Sequence, residues 1–480
     1  MWWWQQEIHR SWCVALASSG FVGGVALALV LRIEPSWGLV AAISGLAGVI
    51  VARYYVVPAI CLSFLITGLG YGSANLVARD IYSSFFGKDI NVTGRIKEDP
   101  SISASGALSL QLDAVQFNGV TMPGSIYASF RGSSHAKRGD VITAKGKVGE
   151  GFGSFPASIS LSTITKTVRP VPGDVGRVVR DWFADKVRRV IPEPQASLGV
   201  GFLTGQKSAL PTDLADALKI AGLTHIVVAS GYNLTILVQM ARKLFARISK
   251  YTSAVSAALM IVMFMTITGL SPSMTRAGLV SGLSLIAWYY GHAFHPLVLL
   301  PVAAAITVAV QPSYVWGDLG WQLSFTAFAA VMIVGPLLQR YFFGEKEPGL
   351  LRGILGETVA AHVVTLPIIT LSFGTVSHVA ILANILVVPL VPLAMLLTFI
   401  CGIGALLSIS LISWVALPTT WLLGYMTNVA TFVSGLSWAQ NTVAVPAVIW
   451  GVYALGLGLA CVWMYRTSNY SFRQTETGFT

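Results

Sequence analysis

The chain is a succession of long apolar runs, and this limits its fold more than any other feature. Runs at 12–31, 37–52, 54–78, 252–270, 274–290, 296–311, 319–339, 353–373, 378–409, 412–436 and 443–465 carry few charges. With the apolar text of 222–241 they make about twelve candidate crossings, because about 20 apolar helical residues cover the hydrocarbon core. Backbone polar groups find no water there, so the expected architecture is an α-helical polytopic membrane protein. Charge content agrees: only 11% of the 480 residues are Asp, Glu, Lys or Arg, against about 25% in ordinary soluble domains. The run 378–409 is too long for one regular span and contains Pro389 and Pro392, so a kink or re-entrant turn is expected there.

Residues 85–170 differ in kind. Asp89–Ile96, Leu108–Val115, Gly124–Phe130, Val141–Val148 and Ile159–Thr165 alternate apolar and polar residues between Gly/Ser/Asp/Pro clusters. That is strand periodicity. Five short strands in so small a segment point to an inserted all-β, OB-like barrel. Such barrels often hold single-stranded nucleic acid in basic grooves with aromatic platforms. Arg95, Lys97, Arg131, Lys137, Arg138, Lys145 and Lys147 are therefore candidate DNA contacts. Aromatic residues are sparse in this segment, so a solvated surface on an assembly domain is the competing reading. The resulting plan is transmembrane helices at 1–80, the barrel at 85–170, amphipathic or interfacial helices at 174–220, a second transmembrane domain at 222–465 and a tail at 466–480. Within 174–191, valines and Trp182 recur at helical spacing beside Arg177, Arg180, Lys186, Arg188 and Arg189, as in a helix lying in the membrane interface.

Charge sets orientation. Lys and Arg outnumber Asp and Glu by 31 to 20, giving a formal charge of +11. Arg242, Lys243, Arg247 and Lys250 follow the 222–241 run and place its C-terminal end in the cytoplasm. Arg53 reads as a short cytoplasmic turn with the N-terminus also inside, which puts the barrel outside. Counting 378–409 as one crossing puts the C-terminus inside. The aromatic Met1-Trp-Trp-Trp4 start reads as an interfacial anchor rather than a cleaved signal.

Several polar residues interrupt the apolar text: His225, Ser230 and Asn233 around a Ser230-Gly231 break, then Arg276, Gln322, Ser324, His362 and Asn384. Polar groups in lipid are costly and usually face a bundle interior or a water-filled path. Milder readings compete: Arg276 could snorkel, and Gln322 and Ser324 could bond between helices. Cys13, Cys61, Cys401 and Cys461 form no metal-binding spacing, and no phosphate-cradling G-x-x-x-x-G-K-[ST] occurs. No metal, cofactor or enzymatic activity is expected. Two rival functions remain. Ser230 with His225 or His362 could form an intramembrane serine hydrolase. A broken helix with a central Arg also suits a small-anion transporter.

Four segments together resemble the ComEC family of competence DNA-uptake channels. Gly222-Leu-Thr-His-Ile-Val-Val-Ala-Ser-Gly231, Ser271-Pro-Ser-Met-Thr-Arg-Ala277 and Gly320-Trp-Gln-Leu-Ser-Phe325 are similar to three of its signatures. Leu366-Pro367, Phe373-Gly374 and Ala383-Asn-Ile-Leu-Val-Val-Pro389 resemble a fourth, in the same order. The resemblance implies a channel passing one DNA strand into the cytoplasm across the bacterial inner membrane. It makes His225, Ser230, Arg276, Gln322, Ser324 and Asn384 pore or core-network candidates; Asn233 joins them from the residue reading. It also implies separate partners: a DNA receptor, a motor ATPase, a nuclease if one strand is degraded, and a homo-oligomer as one option. Two departures stand out. Gly231-Tyr-Asn233 replaces the family's usual G-L-H. The seven histidines form no H-x-H-x-D-H cluster, so a short form without the family's metallo-β-lactamase-like domain is expected.

Overall fold

A computed structural model describes residues 10–468 apart from 35, 38–39, 41–42, 44–55, 103–105, 133, 135, 207–209, 228–229, 270, 292–295, 345–348, 408–411 and 444. The expected span at 37–52, the Arg53 turn and the N-terminal tryptophans lie mostly or wholly outside the described residues. Helices α1 (Arg10–Leu31) and α2 (Val56–Asp80) come first. Strands β1 (Asp89–Ile96), β2 (Ser101–Ile102), β3 (Leu108–Phe117), β4 (Val120–Thr121), β5 (Ile126–Phe130), β6 (Val141–Glu150) and β7 (Ala157–Val168) follow. Next are α3 (Val175–Arg188), α4 (Gln195–Thr204), α5 (Thr212–Ile220), the single turn α6 (Thr224–Val227), α7 (Gly231–Phe245), α8 (Lys250–Thr268) and α9 (Pro272–Tyr289). Then come α10 (Pro296–Val310), α11 (Tyr314–Gly317), α12 (Leu319–Phe343), α13 (Leu350–Phe373) and β8 (Thr375–Ser377). The last are α14 (Ala380–Val387), α15 (Val391–Leu406), α16 (Ile412–Ser434), β9 (Gln440–Thr442) and α17 (Ala447–Thr467).

Six described helices are long and apolar enough to cross a membrane: Ser11–Leu31, Lys250–Thr268, Leu319–Phe343, Leu351–Phe373, Ala380–Leu406 and Val448–Thr467. The fifth is interrupted where its prolines predict, by a 3₁₀ turn at Val388–Leu390 between α14 and α15. Proline costs a helix one hydrogen bond, and α13 shows how that cost is met. Pro367 has no N–H for the Val363 carbonyl, which instead accepts from the Tyr453 hydroxyl on α17 at 2.9 Å.

The chain forms two compact units, Met1–Asp174 with Pro296–Gln322, and Val175–His295 with Leu323–Thr480. Residues 296–322, which the sequence plan kept within 222–465, thus belong with the N-terminal elements. The reason is specific bonding: Trp316 Nε1 donates to the Ala26 carbonyl at 2.9 Å, and the Tyr71 hydroxyl donates to the Ala309 carbonyl. Between α1 and α2, small residues let the backbones touch. A Cβ on Gly68 would overlap the Phe21 carbonyl, and one on Gly72 would lie 2.8 Å from Ala28 Cβ. Such close approach drives helix association in lipid, where the hydrophobic effect gives nothing.

In the first unit, five long strands close a barrel. β1 pairs β3 and β6, β3 pairs β5, β7 pairs β6, and β5 runs parallel to β7. Closure leaves no long edge to aggregate. Alternation along each strand sends Val92, Leu110, Leu112, Ile126, Ile142 and Ile159 inward, and an irregularity at Ala114 (φ +48°) brings Phe117 to the same side. Each such side chain contributes about 1.5–3 kcal/mol on full burial. Tyr82 closes over this core against Phe117 and donates to the Pro123 carbonyl at 2.7 Å. Burial pushes its phenol pKa upward.

In the second unit, one large apolar core joins α3 to α6 with α14, α15 and α16. Helix α3 divides its faces unexpectedly. Val175, Val178, Val179 and Trp182 are exposed, whereas Arg177 and Arg180 are buried at 4% and 3%. The cause is close packing. A Cβ on Gly176 would overlap the Thr266 carbonyl of α8, and Phe183 fills the space beside Gly402 of α15. These contacts turn the arginine face inward and leave the valine face outside.

Candidate functional site

The site is built where α6 gives way to α7 at Ser230-Gly231, a junction called the break below. Ser230 has extended backbone (φ −118°, ψ 161°) and its hydroxyl accepts from the Asn233 N–H at 3.3 Å, so it caps α7. A capping serine starts a helix where an extended residue ends the previous segment. Asn233, wholly buried, faces back across the break. Its Nδ2 donates to the Ile226 carbonyl (3.1 Å) and to the Phe202 carbonyl (3.0 Å). Ile226 lies in the turn α6, and Phe202 lies in the last turn of α4. Carbonyls at helix C-terminal ends have no intrahelical donor. One amide therefore satisfies two helix ends and ties α4, α6 and α7 together. Its Oδ1 has no hydrogen-bond partner among the described residues.

The four sequence segments meet here. Gly222, at φ +70°, lies against Ala380 of α14, where a Cβ would come within 2.7 Å. Ser377 Oγ donates to the Ile220 carbonyl at 2.6 Å, tying the chain just before Gly222 to the strand before α14. Ile226, Val227, Ala383 and Val387 share one core. A Cβ on Gly231 would sit 3.4 Å from Ala277 Cβ, so the break also rests on α9. Helix α9 starts with Ser271 as cap and Pro272 in the first turn. One turn on, Arg276 is only 3% exposed, with its guanidinium 5.6 Å from the Phe325 ring centroid of α12. Arg276 is thus inside the bundle rather than snorkelling. Asn384 is buried on α14 with Oδ1 unpartnered among the described residues.

The other candidates are placed differently. His225 and Ser324 are exposed. Gln322 is half-buried and donates to the Val315 carbonyl at 3.0 Å, satisfying the end of α11 within the first unit. On the barrel, Arg95 is clamped bidentately by Asp113 (3.0 and 2.9 Å), which raises its pKa. Arg138 is buried and clamped by Asp174 (2.6 and 3.2 Å). Lys97 reaches Ser125 Oγ at 3.5 Å. Arg131, Lys137, Lys145 and Lys147 have exposed side chains, the last two on one face of β6. No cluster of His, Cys, Asp and Glu able to hold a metal occurs among the described residues. Sequence reading missed Phe202, Ile226 and Phe325 as partners, because each is an ordinary apolar residue whose contribution is a carbonyl or a ring.

Comparison with known proteins follows the same segments. The profile of the family described as Competence protein matches residues 202–468. ComE operon protein 3 of Bacillus subtilis (strain 168) is 22% identical over 253 residues, covering 50% of this chain and 31% of that protein. The match therefore spans about a third of that relative's length. No solved structure matches. The profile covers more than half of the chain and includes all four segments packed about the break, and the chain belongs to the Competence protein family.

Proposed function

We propose that this protein passes single-stranded DNA across the bacterial inner membrane into the cytoplasm during competence. The observation that carries the reading is the packing of Gly222 on Ala380 and Gly231 on Ala277, with the cationic Arg276 buried next to Ala277 and facing Phe325. A buried cation in a bundle is costly unless it serves a substrate or a partner, and arginine's planar fork suits phosphate. The excess of basic residues suits a polyanion throughout.

The barrel's closed five-strand order, with one parallel pair, supports an OB-type domain outside the membrane. Its exposed Arg131, Lys145 and Lys147 are better placed to meet DNA than Arg95 and Arg138, whose forks are already held by carboxylates. About twelve crossings, both termini in the cytoplasm, and reliance on a separate receptor, motor and nuclease complete the reading. The protein itself acts as a conduit, not an enzyme: Ser230, the nucleophile a hydrolase would need, serves as a helix cap.

The test is uptake of fluorescent DNA by cells lacking the protein, complemented with wild type, Arg276→Ala or a deletion of 85–170. Surface-bound DNA that fails to enter without the protein, and with either variant, supports translocation. Normal entry without the protein overturns it and favours small-anion transport.

A further inference from the structure

Helices α7 and α9 run parallel and in register. At one end Gly231 meets Ala277. Eleven residues further along each helix, from 231 to 242 and from 277 to 288, the Arg242 guanidinium lies over Trp288, 4.0 Å from its ring centroid. At a rise of 1.5 Å per residue the two contacts are about 16 Å apart. The break, Asn233 and Arg276 thus lie towards one end of this helix pair, and Arg242 lies towards the other.

That second end concentrates cations on aromatic rings. Lys250 Nζ stands 5.6 Å from the Trp288 ring and 5.7 Å from the Tyr289 ring. Lys243 and Arg247 are exposed beside them. Tyr290 is 70% exposed and packs edge-on against Tyr289, centroids 5.4 Å apart. The corner is braced: Ser253 Oγ donates to the Arg242 carbonyl at 3.0 Å, joining α7 to α8. Arg242 Nε is buried with no hydrogen-bond partner among the described residues. No Asp or Glu occurs anywhere between Asp216 and Asp318, so no carboxylate from these helices competes for the cations.

We propose that the corner formed by Arg242, Lys250, Trp288 and Tyr289 is the exit site of the path, holding the phosphodiester backbone of the emerging single strand while Tyr290 offers a ring for its bases. The proposal rests on the translocation reading. Cationic grooves with exposed rings bind single strands of any sequence, and arginine stacked on an aromatic ring is part of that chemistry. An anionic lipid headgroup carries the same phosphate chemistry but has no base to stack, so exposed Tyr290 favours the strand.

The test uses the full chain in nanodiscs of zwitterionic lipid with an oligonucleotide containing 5-iodouracil, which crosslinks to aromatic rings on irradiation. Crosslinks are expected at Trp288, Tyr289 or Tyr290, reduced at least fivefold in Arg242→Gln/Lys250→Gln. In a salt titration, removing two phosphate contacts should lower the slope by about 1.4. Arg242→Lys keeps the charge and should retain most of the crosslink, which separates loss of contact from misfolding. Crosslinks confined to the barrel, or unchanged in the double variant, overturn the proposal. So does an effect of the double variant confined to discs containing phosphatidylglycerol, which assigns the corner to lipid. If wild type restores uptake to the null strain while the crosslinks ignore the double variant, the exit site falls and translocation stands. A null strain with normal uptake removes both.

Discussion

Asn233 illustrates how one side chain does what two helix ends require. Its amide supplies two donors to the carbonyls of Phe202 and Ile226. An ionised Asp accepts only. Asn233→Leu should therefore destabilise the protein by about 1–3 kcal/mol for the orphaned carbonyls, and Asn233→Asp should be worse, although Asp has the shape of the original. Melting of the detergent-purified variants measures the order; wild-type melting of Asn233→Leu would show that the donors are not what matters. Arg276 tests charge against shape. Arg276→Lys keeps the cation but loses the planar group facing Phe325. Uptake should fall well below wild type with unchanged membrane abundance. Full activity of the lysine variant would show that charge alone suffices. Ser230, Arg276 and Asn384 stood out in the sequence because polar residues are conspicuous in apolar text. The partner of Asn233 did not, because Phe202 precedes it by 31 positions and contributes only backbone.

Single elements reveal their own weak points. The proline in α13 leaves the Val363 carbonyl to the Tyr453 hydroxyl. Tyr453→Phe removes the donor and keeps the ring, and should cost about 0.6–2 kcal/mol. Amide exchange around Val363 should quicken locally; unchanged exchange would mean that the hydroxyl contributes nothing. In the barrel, Leu112→Ala opens a cavity in a closed core and should cost about 2–5 kcal/mol. The loss should appear as faster exchange across β1, β3 and β5, and a barrel that exchanges as slowly as wild type would contradict the packing. Strand periods and apolar runs made the long apolar helices and all five long strands readable beforehand, since β1, β3, β6 and β7 each contain an expected segment and β5 lies within the expected 124–130. Helix α3 was different. Its arginines read as the basic face of a helix lying in the membrane interface, and the approach of Thr266 and Gly402 turns Arg177 and Arg180 inward.

For the whole molecule the testable property is orientation. The proposed topology, with the barrel outside and the Arg242–Lys250 corner inside, requires that Lys147→Cys react with an impermeant thiol reagent in intact cells. Arg247→Cys should react only after permeabilisation. Both side chains are exposed, and the starting background should remove Cys13, Cys61, Cys401 and Cys461. Labelling of both from outside would overturn the topology. The grouping of 296–322 with the first unit was not readable at this scale. It depends on the Trp316 and Tyr71 bonds to carbonyls far away in the chain.

The sequence alone determined the elements: apolar helices that can stand in a bilayer, and one inserted segment of alternating strands. Both follow from short-range rules, because a helix satisfies its own backbone and a strand's period is two. Only the tertiary structure decided which polar residues meet. Between helices in lipid no hydrophobic force selects partners. Selection falls to close backbone approach and to single hydrogen bonds, as at Gly222 on Ala380, Gly231 on Ala277 and Asn233 across the break. Those depend on surfaces that exist only once the helices have packed.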